Sequence, residues 1–142
     1  MNKVVVYIPG VWDLLHVGHI LILERAKALG DILIVGVPID AVVVEDKGKN
    51  PIIPCDQRIK MLESLKCVDL AIPYEKLDFV TALKRYKVDV LVIGTQWGTE
   101  KRHIQAEEYM RLSNGKIVQF PYSNEISTTK IIDKILEDRS KI

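Results

Sequence analysis

Apolar residues recur along this chain in two alternating rhythms. Short, near-continuous β-branched runs stand at 4–8, 32–37, 70–72, 88–93 and 117–120. Runs with so few polar positions predict strands buried on both faces. Between them the apolar positions fall three and four apart. Ile20, Leu23 and Ala26 do so within 18–29, and Ile59, Leu62 and Leu65 within 55–66, after Pro54. Phe79, Val80 and Leu83 follow within 77–86, then Ile104, Tyr109 and Met110 within 102–112. Ile131, Ile132, Ile135 and Leu136 mark 127–138. That spacing predicts helices with one face on a core, and Gly30 is a natural stop for the first of them. The interval without a pattern is 38–54, with Lys47-Gly48-Lys49-Asn50 in its middle. It reads as a long loop, of the kind that is usually functional or mobile.

Strands alternating with helices imply a parallel sheet covered on both faces. The predicted fold is α/β, a Rossmann-like doubly wound parallel sheet of five strands, in a single domain over 1–142. Ligands of such sheets bind beyond the carboxyl ends of the strands, near the point where strand order reverses. That rule gathers the segments 9–19, 38–54, 94–101 and 121–129 at one edge.

The first of these segments, Gly10-Val11-Trp12-Asp13-Leu14-Leu15-His16-Val17-Gly18-His19, is the most informative. It joins a strand to a helix and puts His16 and His19 on one face of the helix's first turn. A helix N-terminus favours anions through its unpaired N–H groups and its dipole. Gly18 keeps that turn open to a phosphate. The implied ligand is a polyphosphate. Zinc would need further ligands, yet His103 is the only other histidine, and Cys55 and Cys67 match no zinc spacing. No metal site is assigned to protein side chains.

Bulk properties narrow the class. The chain is 48% hydrophobic and 27% charged, as expected of a globular protein. A formal net charge of +1 gives no electrostatic case for nucleic acid. No apolar stretch is long enough to cross a membrane, and Met1-Asn2-Lys3 runs into the first strand without a leader-like pattern. Two cysteines without a framework suggest reduced thiols and a cytoplasmic setting.

The run G-x-x-D-L-L-H-x-G-H resembles the signature of the nucleotidyltransferase superfamily that carries an H-x-G-H motif, and within it the short cytidylyltransferases that act on glycerol 3-phosphate. Ile126-Ser127-Thr128-Thr129-Lys130-Ile131 resembles the family's second signature, I-S-T-T-x-I. The likeness covers nearly the whole chain. It implies transfer of CMP from CTP to a small phosphorylated alcohol with release of pyrophosphate, Mg²⁺ as cofactor, and a homodimer. Such chemistry aligns two anions and spreads the charge of a pentavalent transition state. The resemblance places His16 and His19 on the triphosphate and makes Lys49, or Lys47, the catalytic lysine of a closing loop. Gly10, Val11, Trp12, Gly18, Gly94, Ser127, Thr128 and Thr129 become nucleotide-binding positions. Arg58 joins them, since a planar guanidinium suits phosphate. Asp13, Gln96 and Trp97 are assigned to substrate. Asp13 could instead brace its loop, and Trp97 could simply pack.

Two departures stand out. Gly94-Thr95-Gln96-Trp97 replaces the family's G-D-D-W, and Tyr122-Ser123-Asn124-Glu125 replaces R-T-E-G. A basic residue from 101–103 is a candidate to replace the lost arginine. Adenylyltransferase domains that make ADP-heptose also lack it. The stretch Asn50-Pro51-Ile52-Ile53-Pro54 with Gln57-Arg58 resembles theirs and that of archaeal FAD synthetases. Adenylyl transfer to a sugar phosphate or to FMN is therefore the alternative. A nucleotide-binding regulatory domain without catalysis is the alternative of another class, because fold does not fix function.

Overall fold

The computed structural model describes residues 2–121 and 127–141. Five strands form one sheet: β1 (Val5–Pro9), β2 (Ile32–Pro38), β3 (Leu70–Tyr74), β4 (Val90–Ile93) and β5 (Lys116–Gln119). Their order is β3-β2-β1-β4-β5 and every pairing is parallel. This is the doubly wound arrangement predicted from the alternation. The order reverses between β1 and β4, so the crevice lies between the segments that leave their carboxyl ends.

Residue alternation along β1 divides the core. Val6 and Ile8 face a cluster with Leu23, Ala26, Leu33, Val35, Leu62 and Phe120, beneath helices α1 (Val17–Lys27) and α3 (Cys55–Glu63). Tyr7 faces the opposite cluster with Ile34, Phe79, Leu83, Leu91, Ala106 and Met110. Helices α4 (Val80–Arg85) and α5 (Lys101–Leu112) cover that side. The Tyr7 phenol occupies the space that a Cβ at Gly36 of β2 would need. Burial pushes the Tyr7 hydroxyl well above the usual phenol range. The last helix, α6 (Thr128–Ser140), has no buried residue, and Ile135 and Leu136 are exposed.

Two local expectations are corrected. The interval 38–54 is not one long loop, because Asp40–Lys47 forms a helix, α2. Its Val42-Val43-Val44 run disfavours helix through restricted χ1 freedom. Burial of Val42 and Val43 against the sheet overrides that preference. Asp40 in the first turn, Lys47 in the last and left-handed Gly48 at the end complete it. Gly30 is likewise not where the first helix stops: α1 ends at Lys27, with Ala28 as its C-cap. A Cβ at Gly30 would meet the Val4 carbonyl oxygen at 2.8 Å, so the residue permits close approach to the start of β1. No helix among the described residues is long and apolar enough to cross a membrane.

Candidate active site

The segment between β1 and α1 is shaped by tertiary contacts rather than by local preference. Trp12 and Leu14 both hold left-handed backbone, at φ 59° and 49°, although neither is glycine. The Trp12 ring folds back over Gly10, where a Cβ would come within 2.8 Å of it. Its indole N–H donates to the Gly36 carbonyl oxygen at 3.1 Å. The same ring stands edge-on to His19, 5.5 Å between centroids.

His16 is the N-cap of α1. The Gly18 amide donates to His16 Nδ1 at 3.1 Å, and the His16 amide donates to His19 Nδ1 at 3.2 Å. This is a reciprocal capping box built from two imidazoles. The two rings stack 3.9 Å apart at 28°. Accepting at Nδ1 leaves the ring proton on Nε2 in each neutral imidazole. Both histidines thereby present an Nε2–H donor. His16 Nε2 is buried and has no hydrogen-bond partner among the described residues. Burial lowers the pKa of His16, and it lowers that of His19 further, to about 4, with neighbouring His16 adding and Asp13 opposing. The pair is thus neutral at physiological pH in the unliganded protein.

A stability prediction follows from that shift. The unfolded chain takes up the His19 proton near the ordinary value of 6.5, whereas the folded chain does so only near 4. Stability is therefore full above about 6.5, falls as pH drops through that window, and levels below about 4. His16 contributes in the same direction. Urea midpoints should stay level from pH 7.5 to about 6.5 and fall from there to about 4, and His19→Asn should flatten that slope.

Asp13 is a brace. Its Oδ2 accepts from the Ile52 amide at 2.7 Å, and its Oδ1 accepts from the Ile53 amide at 2.9 Å and the Leu14 amide at 3.1 Å. Both oxygens accept from backbone amides, as the bracing alternative requires. Its carbonyl oxygen accepts from the Thr128 hydroxyl at 2.9 Å, joining α6 to the histidine segment. Ser127 Oγ caps α6 by accepting from the Lys130 amide, while Thr129 is exposed. The first and last signatures therefore meet, although 115 residues separate the bonded pair. The replaced stretch at 122–125, and Ile126 beside it, lie outside the described residues.

Arg58 requires the largest correction. Expected on a phosphate, it is 1% exposed. Its Nε donates to the Ile53 carbonyl at 2.8 Å, Nη1 to the Val11 carbonyl at 2.9 Å, and Nη2 to the Pro38 carbonyl at 2.8 Å. Nη2 also pairs with Asp40 Oδ1 at 2.7 Å, and that oxygen accepts from the Cys55 amide as well. The guanidinium is an internal strut that ties three segments at the sheet's carboxyl edge. Asp40, which holds it, was not singled out from the sequence.

The remaining candidates spread around the crevice. Lys47 ends α2 and lies 3.9 Å from Asp46. Lys49 is exposed beyond Gly48. Gly94 follows β4, and its carbonyl accepts from the Gln119 side chain at 3.2 Å. Gln96 is exposed. Trp97 realises the packing alternative: its ring lies 4.1 Å from His103 and 5.6 Å from Phe79, and its N–H donates to Glu107 at 2.8 Å. The described residues contain no group of three or more side chains suited to a metal ion.

A parallel sheet with stacked imidazoles at a helix start, beside its point of strand reversal, defines the nucleotidyltransferase class. The chain belongs to the cytidylyltransferase-like family, whose profile matches residues 7–134. It is 36% identical over 141 residues to the FAD synthase of Thermococcus sibiricus, covering 96% of this chain and 95% of that protein. It is 38% identical over 144 residues to the FAD synthase of Methanocorpusculum labreanum, covering 99% and 100%. It is also 35% identical over 136 residues to the bifunctional protein HldE of Citrifermentans bemidjiense, where it spans 28% of the relative's length. Among solved structures, a lipopolysaccharide core biosynthesis protein from Thermoplasma volcanium is similar at a TM-score of 0.69 and 28% identity, covering 86% of this chain and 98% of that one.

Proposed function

We propose that this chain transfers an adenylyl group from ATP to the phosphate of FMN, releasing pyrophosphate. The observation that carries nucleotidyl transfer is the stacked pair of neutral imidazoles, each with its Nδ1 engaged by backbone, and a His16 Nε2–H that has no partner among the described residues. The choice of base and acceptor is supported by the near full-length likeness to two proteins named FAD synthase. HldE, matched over about a quarter of its length, keeps a sugar phosphate as the second acceptor. These relatives support the adenylyl alternative over the CTP preference drawn from the sequence.

In the proposed step an oxygen of the acceptor phosphate attacks the α-phosphorus of ATP. The bond from that phosphorus to the α,β-bridging oxygen breaks, and pyrophosphate leaves with the electron pair. The nucleophile is already an anion, so no base has to remove a proton. The protein's task is alignment and charge stabilisation. The Nε2–H groups of His16 and His19 donate to phosphate oxygens as their charge grows. Lys49 supplies an exposed ammonium, and Lys47 is less available because it lies beside Asp46. The start of α1 adds the positive end of its dipole.

Mg²⁺ fits this chain only as an ion carried on the triphosphate, its usual mode with nucleotides. Asp13 has both oxygens on backbone amides, and no step above is routed through the metal. A homodimer is part of the same proposal, and sedimentation velocity would test it.

Pyrophosphate release should be measured for four nucleoside triphosphates against FMN, glycerol 3-phosphate and sugar phosphates. The expected result is turnover with ATP and FMN at least about tenfold above any pair containing CTP, a difference of about 1.4 kcal/mol. Turnover confined to CTP and glycerol 3-phosphate would replace this reading with the cytidylyl one. Nucleotide binding without release would make the chain a regulatory domain.

A further inference from the structure

The segment bearing Lys47 and Lys49 is tied down at both ends by carboxylates. At its far end the Ile52 and Ile53 amides donate to Asp13, as described above. At its near end Asp46, in the last turn of α2, accepts from Arg102 Nη2 at 2.9 Å, across 56 positions of sequence. Arg102 stands in the first turn of α5, just after the segment that leaves β4. Its other terminal nitrogen, Nη1, pairs with Glu100. The Arg102 side chain is only 13% exposed, unlike the 71% of Arg111 on the same helix. Asp46 Oδ2 faces the Lys47 ammonium at 3.9 Å, so one carboxylate serves both cations. Between the two ties runs a short exposed stretch with left-handed Gly48, around which a Cβ would meet nothing within 4 Å.

We propose that Arg102 is a positioning residue: through Asp46 it fixes the end of α2 against α5, and so sets where the lysine-bearing stretch stands relative to the segment after β4. This rests on the nucleotidyl-transfer reading for its catalytic consequence, but not for its structural one. A direct phosphate-binding role for Arg102 fits the geometry less well. Both terminal nitrogens are engaged, and the two carboxylates at the guanidinium would repel an incoming anion. The tie acts by placement, where displacement of a reactive group by a fraction of an ångström already reduces rate. Arg is suited to it because its planar fork can hold two carboxylates at once.

Hydrogen exchange of the unliganded protein tests the tie without turnover. Arg102→Gln and Asp46→Asn should each speed exchange in the peptide spanning 44–50 by about tenfold. In steady-state assays both should lower kcat by about tenfold with the acceptor KM nearly unchanged. Arg102→Lys, which keeps a cation between Asp46 and Glu100, should recover part of both the protection and the rate. Exchange in 44–50 that stays at the wild-type level in both single variants would overturn the proposal. So would an Arg102→Gln variant with wild-type exchange and a raised acceptor KM, which would make Arg102 a substrate ligand. If the wild-type protein turns over no nucleotide, the proposed function fails, while the exchange data still decide the tie.

Discussion

Alanine at His16 or His19 is expected to lower kcat by about 10²–10³-fold, the size seen when one oriented donor to a developing oxyanion is lost. Each substitution also removes half of a capping box, at a cost of about 1 kcal/mol. The two effects separate with asparagine. At position 16 its short side chain can still accept from the Gly18 amide, but it has no donor where the Nε2–H of the ring lies. His16→Asn should therefore recover most of the thermal stability lost in His16→Ala and little of the rate. Matching kcat values for His16→Asn and wild type would show that the ring only starts the helix. The stacked pair should also be non-additive, because removing either ring frees the other to move.

Arg58→Met is expected to destabilise the fold by about 3–5 kcal/mol, chiefly because three carbonyls lose their shared donor, at about 1–3 kcal/mol for each that stays unsatisfied. The loss leaves Asp40 without its cation and the carbonyls of Val11, Pro38 and Ile53 without their donor. At about 2–4 °C per kcal/mol for a chain of this size, the melting temperature should fall by about 6–20 °C. Arg58→Lys should recover little, because a single ammonium cannot reach acceptors arranged around a planar fork. Thermal denaturation followed by circular dichroism checks both variants. A melting temperature within about 2 °C of wild type for Arg58→Met would mean that the strut carries no load.

What could be read from sequence divides along the range of the interactions involved. The central strands β1, β2 and β4 were legible because a β-branched run buried on both faces has few alternatives, whereas β3 and β5 stand at the sheet edges and are largely exposed, contrary to that expectation. Helix α2 was missed although its markers are local: Asp40 opens it, and Lys47 and Gly48 close it. The valine run between them hid those signals. The histidine segment was legible as a strand, a tight turn and a helix start, since all three are local. Its capping role was not, because histidine is not a usual capping residue and the bonds depend on ring orientation. Arg58 could not have been placed from sequence. Beside Gln57 and Lys60 it has the setting of a surface charge. Its burial is decided by three carbonyls from segments that meet only in the folded chain. Arg102 was noted only as one of several basic residues, and its tie to Asp46 is equally non-local.

The left-handed backbone of Trp12 and Leu14 bears on how this motif can travel between proteins. Each such residue carries a cost of about 1–3 kcal/mol that the surroundings must offset. Here the offset comes from Gly36 beneath the indole, from the Asp13 brace and from the start of α6. A transplanted ten-residue cassette would bring the histidines to a new scaffold and leave their arrangement behind. The heritable unit of this chemistry is the whole strand-edge neighbourhood, and partial grafts should relax into ordinary turns.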